Sequence, residues 1–137
     1  MGIEIDLQLQ IDNIFDITLP DIYTCEVEGL SGEYPVLWVR AYTVDRKQHT
    51  NFAFRGAKYF SGPTQWVSAN FCVASSAERG ELLDELGWTE GASPDHLEEL
   101  FRHIHLLFVD SRSPRYRIRI LTSSAYIEPD VPIEFRH

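Results

Sequence analysis

Three arginines stand on alternate positions in the stretch SPRYRIRIL: Arg115, Arg117 and Arg119. A guanidinium is a planar fork of donors that matches phosphate and carboxylate, so a row of them is a candidate anion site. The rest of the chain opposes polyanions. It holds 21 Asp and Glu against 12 Lys and Arg, a formal charge of -9. Such a field repels nucleic acid and anionic membrane surfaces, and it favours a partner protein with a basic surface. On a strand the three arginines leave by one face, and Tyr116, Ile118 and Ile120 by the other. The competing reading is internal neutralisation by Glu4 and Asp6 of the first strand, each cross-strand pair contributing about 0.2–1 kcal/mol. That reading requires the N-terminal strand and the arginine strand to be neighbours.

The carboxylates are the second candidate chemistry. Glu78, Glu81, Asp84, Glu85, Glu98 and Glu99 fall in one acidic block on two expected helices. Neighbouring residues on a helix diverge by about 100°, so Asp84/Glu85 and Glu98/Glu99 do not converge on a substrate. They suit a docking face, where complementary charge speeds association. A third candidate is a small-ligand pocket lined by Trp38, Arg40, Tyr42 and Trp66.

Other arrangements fail on spacing. The chain has no G-x-S-x-G, P-loop or G-x-G-x-x-G pattern. His96, His103 and His105 do not form HExxH. On one helix His96 and His103 would lie about 10 Å apart, too far for one zinc, so neither metal nor cofactor is expected. Cys25 and Cys72 match no CxxC pattern and read as two reduced thiols. Arg46, Lys47, Arg55 and Lys58 interleave with Phe52, Phe54, Tyr59 and Phe60. Such interleaving serves single-stranded nucleic acid, but aromatics alternating on a hairpin belong to a core, and the overall charge argues against nucleic acid.

The elements that must position these residues follow from periodicity. Ile3, Ile5, Leu7, Leu9 and Ile11 alternate with polar residues, the pattern of a half-buried strand. Tyr23, Cys25 and Val27 share a face of a second strand. Val36–Val44 reads as a third, and Phe52 and Phe54 mark its hairpin partner. Gln65–Ala74 is apolar on both faces and reads as a central fifth strand. Ser75 and Glu78 match a capping box, with Gly87 at the left-handed exit and Trp88 folding back on Leu83. Ser93 and Pro94 open a second helix whose stripe, Leu97, Leu100, Phe101, Ile104, Leu107 and Phe108, extends it to Asp110. Then come the arginine strand, Arg115–Thr122, and a Pro-bounded piece with Pro129 and Pro132, expected at an edge.

These elements predict one α+β domain at residues 1–137. It is a mainly antiparallel curved sheet or half-barrel of 6–7 strands, with a helix pair inserted between the fifth and sixth. The N-terminus has no basic n-region or continuous apolar run, so it does not read as a signal peptide, and no stretch is long enough to span a bilayer. The expectation is a cytoplasmic, non-catalytic interaction domain of inhibitor, immunity or adaptor type that binds a basic protein surface. A small-ligand domain or cryptic enzyme with a pocket between sheet and helices is the alternative. Homo-oligomerisation through Trp88 and the last strand is a third expectation.

Overall fold

The computed structural model describes residues 2–8, 11–31 and 35–128. In chain order the strands are β1 (Ile3–Ile5), β2 (Thr24–Ser31), β3 (Val36–Tyr42), β4 (His49–Arg55), β5 (Tyr59–Ser61), β6 (Gln65–Val67) and β7 (Cys72–Val73). Helices α1 (Ser76–Glu85) and α2 (Pro94–His103) follow, then β8 (His105–Arg112), β9 (Arg115–Thr122) and β10 (Ser124–Glu128). The strands form two antiparallel sheets, ordered β1-β10-β4-β3-β2-β6 and β5-β9-β8-β7. The α+β class, the antiparallel pairing and the helix pair are as the pattern implies. The division into two sheets is not, nor is the expected count of 6–7 strands: ten are described, and the helices lie between β7 and β8 rather than between a fifth and a sixth strand.

One core fills the space between the sheets. Cys25, Leu37, Val39, Phe52, Phe54 and Ala125 reach it from the six-stranded sheet, and Leu107, Val109, Ile118 and Ile120 from the other. The opposite face of the four-stranded sheet carries a second cluster. There Leu106 and Leu121 meet Leu82 and Leu83 of α1, and Leu100 and Phe101 of α2 pack against them. Alternation along β8 and β9 serves both layers, because successive side chains point to opposite faces.

Four boundaries differ from the sequence reading. The first strand ends at Ile5. Residues 11–18 form a loop instead, with Asn13 and Asp16 at positive φ and Ile14 and Phe15 buried in the core. Leu9 and Gln10 lie outside the described residues.

Gln65–Ala74 is not one central strand. It splits into β6 and β7, each at the edge of a different sheet. The switch is at Ser68, buried at φ 143°. Its hydroxyl donates to Asp21 Oδ1 (2.9 Å) and accepts from the Asn70 N–H, and its carbonyl accepts from Trp66 Nε1.

The second helix ends at His103, and His105–Arg112 is strand. The run IHLLFV satisfies both periods locally. Pairing with Arg115–Thr122 along the whole of β8 settles it as strand. Lastly, β10 lies inside its sheet, between β1 and β4, rather than at an edge. Pro129 and Pro132 lie outside the described residues.

The helix caps match the reading closely. Ser75 Oγ accepts from the Glu78 N–H (3.1 Å), and Ser93 Oγ from the His96 N–H (3.2 Å). At the end of α1, Gly87 has φ 78°, its N–H meets the Asp84 carbonyl, and the Trp88 N–H meets the Leu83 carbonyl. These are the two bonds of a Schellman ending.

Candidate functional site

The first candidate is the groove between α1 and the arginine strand. Leu82 and Leu83 anchor α1 on the outer face of the four-stranded sheet, which fixes which side of the helix meets solvent. Glu78, Glu81, Asp84 and Glu85 are all exposed there. With Leu82, Leu106 and Arg119 they line a groove of about 460 Å3. Four of the six expected docking carboxylates therefore come together. Glu98 and Glu99 do not: they lie on α2, paired with Arg102 (3.3 and 3.5 Å), and Glu99 also meets His103 (3.1 Å). The apolar floor contributed by Leu106 escaped the sequence reading because that residue was placed in a helix.

The arginine row is not beside β1. The N-terminal strand pairs with β10, so the early and late parts of the chain do meet, but through Ile3, Glu4 and Ile5 against Ile127, Tyr126 and Ala125. The arginine strand β9 sits in the other sheet between β5 and β8. Its neutralisation is local. Arg117 forks onto Asp110 of β8, reaches Glu78 of α1 (3.3 Å) and lies 4.2 Å from the Phe108 ring. The hydrogen bond to Asp110 and the nearby carboxylates hold the Arg117 pKa above its ordinary value. Arg119 faces the acidic groove, and Arg115 is exposed at the hairpin end. Of the three, Arg119 alone lines this groove, and Arg117 is already paired with carboxylates.

The expected aromatic pocket is also divided. On β3, Leu37, Val39 and Ala41 face the core, so Trp38, Arg40 and Tyr42 point to the outer face of the six-stranded sheet. Trp66 is in the core on the other side, near Phe60 and Phe71. Arg40 and Tyr42 nevertheless share a pocket of about 160 Å3 with Arg46 and His49. Between the helices and the sheet, where a ligand pocket was expected, Leu82, Leu83, Ile104, Leu106 and Leu121 pack together.

The β3–β4 turn builds this pocket. The Thr43 N–H meets the Gln48 carbonyl, and Arg46 adopts φ 59° as its N–H meets the Thr43 carbonyl. Asp45 accepts from the Thr43 hydroxyl and the Lys47 N–H. Those bonds hold its carboxyl pKa below the usual range. The turn returns the chain so that Tyr42 faces His49 and the Arg46 guanidinium lies 4.3 Å from the Tyr42 ring. Sequence pattern groups Arg46 with the basic and aromatic residues that follow it and does not single out His49, so neither is assigned to this pocket by the sequence. The spacing Tyr42 to His49 around a short turn was the signal.

Both cysteines are free. Cys25 is fully buried, which pushes its thiol pKa far up, and its Sγ donates to the Ser68 carbonyl. Desolvation also raises Cys72. Among the described residues no group of His, Cys, Asp and Glu is placed to hold a metal ion, and no helix is long and apolar enough to cross a membrane. The chain matches no protein-family model, no curated protein and no solved structure.

Proposed function

We propose that the chain is a non-catalytic protein-interaction domain, of inhibitor, immunity or adaptor type, that docks a basic surface of a partner protein on the α1 groove. The supporting observation is the joining of four exposed carboxylates to an apolar floor, Leu82 and Leu106, in one groove. A lysine or arginine of the partner has the matching form: its methylene stem lies on leucine while its charged head meets carboxylate. Arg119 at the groove wall adds a point of opposite sign, which sets orientation and disfavours a uniformly basic tail.

Affinity capture with the wild-type chain and a Glu81→Lys, Glu85→Lys variant tests this. Both positions are exposed, so folding should persist. The expected result is a partner retained by the wild type at low salt, lost with the variant, and weakened at about 1 M salt, where the Debye length falls to about 3 Å. A partner held equally by both proteins would overturn the proposal.

A further inference from the structure

We infer that the pocket formed by Arg40, Tyr42, Arg46 and His49 binds a small tetrahedral oxyanion: inorganic phosphate, or the phosphate group of a small ester. Three of its four lining side chains are basic types, and no carboxylate lines it. Glu26 meets Arg40 only through Nη2, at 3.2 Å. Asp45 is turned to Thr43 and Lys47. The site is thus locally positive on a protein of charge -9.

The paired guanidinium groups call for an acceptor. Arg40 and Arg46 share one ring, with guanidinium carbons 5.5 and 4.3 Å from the centre of Tyr42. Two like charges against one ring repel each other. Glu26 offsets one of them, and among the described residues Arg46 pairs with no carboxylate. An anion held by both guanidinium groups turns that repulsion into two charge-assisted contacts.

Tyr42 supplies a third donor. Its hydroxyl accepts from Gln65 Nε2 at 3.3 Å, which leaves its own proton for a ligand oxygen. The volume, about 160 Å3, suits a phosphate group. The pocket lies on the outer face of the six-stranded sheet, whereas the α1 groove lies beyond the four-stranded one. The two sites can therefore be tested separately.

The experiment is a calorimetric titration of the whole chain with inorganic phosphate and, separately, glycerol phosphate, in chloride buffer of matched ionic strength. Saturable one-to-one binding of either is expected. Tighter binding of the ester would assign the ligand to a phosphate ester, and equal or tighter binding of the free ion to inorganic phosphate. Arg46→Gln should weaken binding at least tenfold while the protein stays folded in chloride, since Arg46 is exposed. Arg46→Lys, which keeps the charge but loses the fork, should fall between. Amide shifts confined to Arg40–His49 on phosphate addition would give the same answer by a second readout. No binding beyond chloride, or equal binding by wild type and Arg46→Gln, would overturn the inference.

Discussion

Arg117 and Asp110 face each other across the β8–β9 hairpin and are joined by two bonds, Nε to Oδ1 at 2.7 Å and Nη2 to Oδ2 at 2.9 Å. The same guanidinium reaches Glu78 on α1. One residue therefore ties the hairpin to the helix that carries the acidic groove. Both partners are exposed, so the fork is worth roughly 1 kcal/mol or less, with a similar amount from the Phe108 ring. Arg117→Glu is expected to lower the melting temperature by several degrees, because it places three carboxylates together. An unchanged melting temperature would remove the structural role of the fork.

His105 gives a pH prediction. It is half-buried at the start of β8, beside a recess of about 380 Å3 that Glu4, Asp6 and Ser123 also line. Burial pushes its pKa down, the positive Arg79 adds to this, Asp6 opposes it, and His103 adds a little more. The unfolded chain takes up this proton near pH 6.5, and the folded protein resists it. The contribution to stability is full above about pH 6.5 and falls as the pH drops toward the folded value. The loss of melting temperature between about pH 7.5 and about pH 5.5 should be smaller in His105→Gln than in the wild type. Equal losses would place the acid sensitivity elsewhere.

Phe15 tests the loop that replaced the expected strand. Its ring stacks on Phe52 at 4.2 Å and meets Phe54 and Phe71 edge-on. Phe15→Ala should cost about 3–5 kcal/mol by urea unfolding. Ile11→Ala, at a side chain 71% exposed, should change stability by less than about 0.5 kcal/mol. Similar effects at both positions would contradict the placement of the loop.

The two thiols should differ in accessibility. Thiol labelling of the folded protein is expected to modify Cys72 slowly and Cys25 only after denaturation, because the thiolate is the reactive form and burial opposes it more at Cys25. Cys72→Ser should abolish native labelling, and Cys25→Ser should leave it intact. Labelling that survives Cys72→Ser would show that the core opens around Cys25.

Local chemistry was the legible part of the sequence. Ser75, Ser93 and Gly87 announce helix ends because a cap is made by residues a few positions away. The alternation of Arg115–Thr122 likewise gives β9 its full length. Partners distant in the chain were harder to find. Nothing near Ser68 says that two sheets meet there, since the bonds that tie it to the rest of the fold come from Asp21 and Tyr23, far earlier in the chain. The hydropathy of HIHLLFVD suits a helix as well as a strand, and only its pairing with β9 decides between them. For the sites, the α1 carboxylates were visible as a helical face. The Arg40 pocket was half visible, because strand alternation groups Trp38, Arg40 and Tyr42 but a turn delivers Arg46.

The union of β1 with β10 has a consequence for biosynthesis. Strand β1, translated before the β2–β3–β4 meander, has its hydrogen-bonding partner at Ser124–Glu128, and β10 in turn completes the exposed flank of β4. While the chain is still being translated, the β2–β3–β4 meander stands with one side open. Closure of the larger sheet is therefore a late event, and a ribosome stalled within the α1–α2 region would hold a nascent chain with an unzipped, aggregation-prone border.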